Sequence, residues 1–355
     1  MKIIRLSTFL DFGGVETRLA NISHVHDDHD WVFVCMNKEG KSALVIKANN
    51  KQVVNLHSKP SIYSFKTFLK LYQLLKKIRP NVIHTSGAEA NFHGILAAKL
   101  AGIPTIIGEE IGTPNHSKKA QLIFSTIYKF ADYVVGNSDN VLKVVHELDQ
   151  VPYSKLVKIA NPIIFKELPI RVQRNSTQEE FRIVMISRLE PVKNIVGVLN
   201  VLSRLVENGS NIKLTIAGNG TLENELKNKV KELHLSNNVE FVGFITDPYP
   251  YLLNSDLYIL NSFTEGFSNS LIEAMYSKTP SLSTAVGSAP EFIKDGENGF
   301  LIPADDEELL YEKLESIINK SKQELQQIGI AGHEMVVNNF SLEKHISELM
   351  KIYNN

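Results

Sequence analysis

Short apolar runs alternate with amphipathic stretches through the first half of the chain. Residues 3–9, 31–36, 52–56, 82–84, 105–107 and 133–136 have the unbroken apolar character of buried strands. Between them, 15–23, 64–78, 88–101, 120–130 and 140–148 place apolar residues at helical spacing. Alternation of this kind predicts a mostly parallel sheet covered by helices on both faces.

The pattern lapses after Asn161-Pro162, where a polar stretch containing Pro169 reads as a linker. It then resumes, with strands expected at 181–187, 213–217, 239–242, 257–260 and 280–283 and helices at 195–207, 222–233, 248–254 and 268–277. The fold class predicted is α/β, two Rossmann-like doubly wound domains facing across a cleft. The first domain spans 1–164, the linker 165–180 and the second domain 181–340. An amphipathic helix at 341–355, with Ser341 as its N-cap, is expected to pack back on the first domain.

Chemistry concentrates where strands hand over to helices. Glu265-Gly-Phe-Ser-Asn-Ser-Leu-Ile-Glu273 follows an apolar strand, so Glu265 stands at the strand's C-terminal edge, where ligands of open α/β sheets collect. Ser268 or Asn269 can cap the next helix, whose first N–H groups would face an anion such as a diphosphate. Glu273, a turn further on, could accept from ribose hydroxyls. The plainer reading makes Glu265 a solvated loop residue and Glu273 a helix-dipole partner.

Four further loops have the same setting. Arg188 and Lys193, five residues apart after the 181–187 strand, could converge on a pyrophosphate or lie on a solvated loop. Gly218 and Gly220 permit close backbone approach, although Glu223 replaces the third glycine of a dinucleotide fingerprint. Gly13 and Gly14 leave bare N–H groups at the first helix, where Glu16 could orient an acceptor or brace the loop. Gly287-Ser-Ala-Pro-Glu291 reads as another helix-entry loop.

Composition narrows the function. The 355 residues exceed the size at which one core keeps growing, and 43% hydrophobic with 22% charged residues is globular usage. A net charge of -1 argues against a nucleic-acid binder. The single Cys35 sits in an apolar run and excludes a disulfide framework or a cysteine metal cluster. Arg5 interrupts the first apolar run, which reads as a strand and not a signal peptide, and no apolar stretch is long enough to span a bilayer. A cytoplasmic setting is expected. Asp28-His-Asp30, in a run of acids and histidines, reads as a solvated turn and not a metal site.

The ordered set of motifs resembles glycosyltransferase family 4, retaining nucleotide-sugar-dependent enzymes of the GT-B fold. The matching pieces are Gly13-Gly14-Val-Glu16, Ala131 to Ser138, Asn161-Pro162, Ser187 to Lys193, Ala217 to Gly220, Glu265 to Glu273, and Gly287 to Glu291 with Asp295 to Ile302. The resemblance implies that Arg188 and Lys193 hold the donor diphosphate, Glu273 the ribose and Glu265 the transferred sugar. It implies contacts from Gly266, Phe267, Ser268 and Asn269 to sugar and phosphate, and from Gly14 to the diphosphate. No cofactor or metal is implied, the nucleoside-diphosphate sugar being a co-substrate. Cations and helix N-termini suit the departing phosphate.

One departure stands out: Gly108-Glu109-Glu110 occupies the place where many members carry a histidine. A carboxylate there could bond a sugar hydroxyl or assist the acceptor's proton, or mark lost activity. His84 and His93 are further candidates on the acceptor side, with structural roles as the competing reading. Acceptor pockets are expected in the loops around 11–16, 86–93 and 109–116.

The basic amphipathic segment 64–79 suits a peripheral contact with the inner face of the plasma membrane, and equally a sheet-covering helix with a lysine-rich outer face. The expected activity is transfer from a nucleoside-diphosphate sugar, UDP favoured, to a glycan or lipid-linked glycan in cell-surface polysaccharide or glycoconjugate synthesis. The alternatives are a catalytically silent partner or stabiliser of another transferase, and a sugar-nucleotide epimerase, for which no acid/base constellation is visible.

Overall fold

Residues 1–11, 13–112, 117–168 and 180–354 are described by the structure, a computed structural model. The chain divides into two compact units, Met1–Ile164 with Phe340–Asn355, and Phe165–Asn339.

The first unit opens β1 (Lys2–Leu10), α1 (Gly14–Ile22), β2 (Asp30–Glu39), α2 (Lys41–Ala48), β3 (Gln52–Asn55), α3 (Phe65–Ile78) and β4 (Val82–Ser86). It continues with α4 (Ala88–Ala101), β5 (Thr105–Glu110), α5 (Lys118–Ile127), β6 (Tyr133–Gly136), α6 (Asp139–Asp149) and β7 (Leu156–Lys158). The second unit runs β8 (Phe181–Ile186), α7 (Ile195–Glu207), β9 (Ile212–Ala217), α8 (Glu223–Glu232), β10 (Val239–Gly243), α9 (Tyr249–Leu253) and β11 (Leu257–Leu260). Then come α10 (Asn269–Tyr276), β12 (Ser281–Thr284), α11 (Ala289–Phe292), β13 (Phe300–Ile302), α12 (Glu307–Ile318) and α13 (Lys322–Asn339). The last helix, α14 (Leu342–Tyr353), belongs to the first unit.

Both sheets are wholly parallel in their paired strands. Their orders are β3-β2-β1-β4-β5-β6-β7 and β10-β9-β8-β11-β12-β13. Each reverses direction once, between β1 and β4 in the first and between β8 and β11 in the second. These are the topological switch points beside which open α/β sheets bind ligands.

Alternation along β1 shows how the first unit is filled. Ile4 and Leu6 join the apolar layer under α3 and α4, whereas Ile3, and Leu10 beyond the register shift between Ser7 and Phe9, join the layer that contains Leu349, Ile352 and Tyr353 of α14. Arg5, between Ile4 and Leu6, therefore faces the α14 side, as the two-residue period of a strand demands. The second unit has one continuous core in which α7, α8 and α12 cover β8, β9 and β13.

Two expectations change here. The strand predicted to stop at residue 107 runs on to Glu110, so Glu109 and Glu110 are strand residues and not loop residues. Phe165 and Lys166, assigned to the linker, dock on the second unit: Phe165 stacks on Tyr276 at 4.9 Å, and the Tyr276 hydroxyl donates to the Lys166 carbonyl at 2.8 Å. The rest of that linker, 169–179, lies outside the described residues. Helices α2, α12 and α13 and the three-residue strands β7 and β13 were not foreseen. In α2, exposed Leu44 and Val45 obscure the helical period.

Candidate functional site

The β8 and β11 loops are stitched together at the switch point of the second unit. The Phe263 N–H donates to the Val192 carbonyl at 2.8 Å, and Asn261 Nδ2 donates to the Asn194 carbonyl at 3.1 Å. Lys193 is held between these two anchor points. Asn194, in the left-handed conformation that asparagine tolerates, caps α7 by accepting from the Gly197 N–H. The consequence is an ion pair between Lys193 Nζ and Glu265 Oε1, with both side chains only 13–14% exposed. Ser262 Oγ donates to the same oxygen at 2.7 Å, and Thr284 Oγ1 holds the Ser262 carbonyl at 2.7 Å. Arg188 is exposed on the same loop.

Ser268 caps α10, accepting from the Leu271 N–H, and its hydroxyl lies 3.3 Å from that of Ser270. Ser270 in turn meets the buried Tyr258 hydroxyl at 2.8 Å. Gly266 and Phe267 form the turn into this cap, followed by Asn269 at the first helical position. The Ser288 N–H donates to the Gly266 carbonyl at 3.0 Å, bringing the β12 loop against the turn. Gly287, at φ +58°, has room only for a hydrogen there: a Cβ would lie 2.7 Å from the carbonyl oxygens of Glu265 and Gly266.

Glu273 lies partly buried on α10. Burial raises its pKa from 4.5 to about 7, with Lys166 opposing and Asp247 adding to the shift. The folded chain therefore holds a proton there that the unfolded chain releases, and stability should fall as pH rises from about 4.5 to 7. Glu273→Gln should remove about 1–3 kcal/mol of that pH dependence, the lower end reflecting partial exposure. Urea unfolding of both proteins at the two ends of this window measures the difference; parallel pH profiles would refute the shift.

Gly218 and Gly220 have a structural reason to be glycine. A Cβ on Gly218, at φ +142°, would lie 1.8 Å from the Ser187 carbonyl oxygen, and one on Gly220 would meet the Leu189 backbone at 2.3 Å. The β9 loop thus packs directly under the loop carrying Arg188.

In the first unit, Gly13 precedes α1 and Gly14 opens it, with unfilled space around the Gly14 Cβ position. Glu16 is half-buried in the first turn, and burial raises its pKa. Thr8 Oγ1, on the neighbouring β1, lies 3.4 Å from Glu89 at the start of α4.

Glu109 and Glu110 have quite different surroundings from those expected. Adjacent strand residues point to opposite faces. Register sets Arg5 beside His84 and Ser86 beside Glu109, all on the α14 face. Arg5 Nη2 reaches Glu109 Oε2 at 3.1 Å, Arg18 Nη1 reaches Oε1 at 2.5 Å, and Ser86 Oγ donates to Oε2 at 2.5 Å. Burial alone would raise the Glu109 pKa, but Arg18, His84 and Arg5 hold it well below the usual range. Burial and Arg5 push His84 down to about 4. Its neutral ring accepts at Nδ1 from Arg5 at 2.9 Å and from the Tyr353 hydroxyl at 2.7 Å, leaving Nε2–H toward Glu109.

On the other face, Glu110 accepts from the Tyr128 hydroxyl at 2.5 Å and from Asn91 Nδ2 at 3.0 Å. Both carboxylates are buried, as is His84, so none of the three presents an open group to an acceptor. His93 is buried too and donates to the Ser61 carbonyl at 2.8 Å. Of the acceptor loop expected at 109–116, residues 113–116 lie outside the described residues.

The structure thus brings Lys193 and Glu265 together, with Arg188 and the α10 entry on neighbouring loops. Ser262, Tyr258, Ser270, Arg5, Arg18 and Tyr353 were not singled out from sequence. An arginine inside the first apolar run was the available signal for Arg5. Among the described residues, no group of three or more His, Cys, Asp and Glu could hold a metal ion.

Residues 12–166 match the family described as Glycosyltransferase Family 4, and residues 167–335 match Glycosyl transferases group 1. The chain is 29% identical over 333 residues to the GalNAc-alpha-(1->4)-GalNAc-alpha-(1->3)-diNAcBac-PP-undecaprenol alpha-1,4-N-acetyl-D-galactosaminyltransferase of Campylobacter jejuni, covering 90% of this chain and 89% of that protein. It is 23% identical to the UDP-Gal:alpha-D-GlcNAc-diphosphoundecaprenol alpha-1,3-galactosyltransferase of Escherichia coli, covering 82% and 80%. Among solved structures it is similar to Anabaena HepE in complex with UDP, with TM-score 0.85, 19% identity and 99% of each chain covered. The lipopolysaccharide outer core galactosyltransferase WaaB is similar as well, with TM-score 0.79, 21% identity and 99% of each chain covered.

Proposed function

This chain belongs to the group 1/family 4 glycosyltransferases and has their GT-B fold, and from that premise we propose a retaining transfer from a UDP-sugar to a lipid-linked glycan in cell-surface polysaccharide or glycoconjugate synthesis. The observation that carries the reading is the Lys193–Glu265 pair at the switch point of the second sheet. Without donor, each neutralises the other. A diphosphate brings about two negative charges, a stronger partner for an ammonium than one carboxylate. Lys193 would turn to the phosphates and release Glu265, still oriented by Ser262, to the hydroxyls of the transferred sugar.

Each remaining group has a matching task. Arg188 meets the same diphosphate, and the N–H groups from Gly266 to Asn269 complete its cradle. Lys193 and Arg188 then stabilise the charge left on the departing nucleotide, where preorganised cations act most strongly. Glu273, whose pKa burial raises to about 7, would accept from the ribose hydroxyls. Glu109, Glu110 and His84 leave this catalytic set because their polar atoms are already committed to a buried network.

UDP as the nucleotide is supported by the names of the Escherichia coli relative and of the HepE complex, and an undecaprenol-linked acceptor by those of both curated relatives. Thermal unfolding with UDP, GDP and their sugars tests the donor. UDP at a hundred times its Kd should stabilise the fold by about 2.7 kcal/mol. Incubation with UDP-sugars and a diphosphoundecaprenol glycan should then yield an α-linked product. Stabilisation by GDP alone, or a β-linked product, would overturn the reading.

A further inference from the structure

Tyr258 brings the only polar side-chain group into β11, a central strand of the second sheet, and it is fully buried there. Its strand neighbours Leu257 and Ile259 enter the core of the second unit, so Tyr258 faces the opposite side, toward α10. Burial raises the pKa of the phenol, which therefore keeps its proton. A buried O–H without an acceptor forfeits its solvation, so that proton has to be donated. Ser270 Oγ, 2.8 Å away, is the group within reach to receive it. The direction then propagates along α10. Ser270, accepting from the phenol, turns its own O–H to Ser268 Oγ at 3.3 Å, and Ser268 Oγ also accepts from the Leu271 N–H at 3.4 Å. A hydroxyl has two lone pairs and one proton. With both lone pairs engaged, half-exposed Ser268 has only its proton to offer at the mouth of the helix.

We propose that Tyr258 is a positioning residue for the sugar-nucleotide donor: its hydrogen bond, relayed through Ser270, presents the Ser268 hydroxyl as a donor to a phosphate oxygen of the bound nucleoside diphosphate. Phosphate oxygens only accept, and a proton already aimed at them needs no reorganisation when the anion arrives. Running the chain the other way would strand the Tyr258 proton in the sheet and turn a lone pair of Ser268 toward the anion. The relay thus adds a side-chain donor, set from beneath the helix, to the backbone N–H groups at the α10 entry. It rests on the reading of that entry as the diphosphate cradle.

The experiment is calorimetric titration of the full chain and its variants with UDP. Glycine caps a helix nearly as well as serine, so Ser268→Gly isolates the hydroxyl, and UDP affinity should fall roughly tenfold. Tyr258→Phe and Ser270→Ala, which act through Ser268, should each lower it roughly threefold. Ser270→Thr, which keeps the hydroxyl, should bind UDP like the wild type. The decisive measurement is the double variant. Once Ser268→Gly has removed the group to be oriented, adding Tyr258→Phe should cost nothing more. Additive losses, or Tyr258→Phe with undiminished affinity, overturn the proposal and leave Tyr258 a packing residue. Unchanged melting transitions establish that the variants fold, and if Tyr258→Phe does not, Ser270→Ala with Ser268→Gly completes the same cycle. A wild-type protein that binds no UDP overturns the UDP reading and the relay together, whereas unaffected variants of a UDP-binding protein overturn the relay alone.

Discussion

Lys193→Ala should lower kcat/KM for sugar transfer by about two to three orders of magnitude, or ~3–4 kcal/mol of transition-state stabilisation. The size of the effect follows from placement. The ammonium lies at the sheet's switch point, on a residue whose two neighbours, Val192 and Asn194, are tied to the β11 loop through their carbonyls, and it is largely shielded from solvent. A charge fixed in such a setting needs no reorganisation when negative charge builds on the departing phosphate. UDP affinity should fall with it, because the same contact is made in the ground state. Glu265→Gln should behave differently: it releases Lys193 and keeps the side chain's shape, so UDP binding should hold or improve while kcat drops. Transfer kinetics and calorimetry with UDP on the two variants separate these effects. A Lys193→Ala enzyme with wild-type kcat/KM would reduce the pair to a structural brace.

Glu109→Ala should destabilise the first unit by about 3–5 kcal/mol. Removing one partner from a buried ion pair leaves the other charge uncompensated, and here two guanidiniums, Arg5 and Arg18, would be stranded. Trp31 is the only tryptophan, is buried in this unit and lies 6.3 Å from the Tyr353 ring, so its fluorescence during urea unfolding reports on the relevant core. An exposed pair such as Lys38 with Asp11 supplies the contrast, where Asp11→Asn should change stability by less than about 1 kcal/mol. Activity measurements on Glu109→Gln add a second test. Loss of kcat in a protein that unfolds like wild type would return Glu109 to the catalytic set, whereas loss in proportion to unfolding keeps it structural.

These two residues also show what the sequence discloses and what it withholds. Lys193 and Glu265 were legible because each follows an apolar run directly, and the end of a parallel strand is where the fold collects ligands. Their pairing was not legible, since it depends on Phe263 and Asn261 clasping a loop some seventy residues earlier. Glu109 was misplaced for the opposite reason. The run Thr105-Ile-Ile-Gly-Glu-Glu110 loses its apolar character at Gly108, which looks locally like a strand's end. The strand continues because Arg5 and Arg18, contributed by distant elements, neutralise a carboxylate that could not otherwise be buried. Local pattern carries no record of such partners. Gly218 was legible as a place of close backbone approach, but what it approaches, the Ser187 carbonyl, emerged only from the packing of the two loops.

Helix α14 bears on how the protein is made. The first unit closes its own sheet by Lys158 but receives Tyr353, which donates to His84 and accepts from Arg5, only after the whole second unit has been translated. At about 5–20 residues per second, that interval is on the order of ten to forty seconds. During it the nascent first unit lacks the Tyr353 contacts to Arg5 and His84 and the share of its apolar layer that Leu349 and Ile352 supply. The half that emerges first from the ribosome is therefore the half that finishes folding last, and it is the half a chaperone would have reason to shelter.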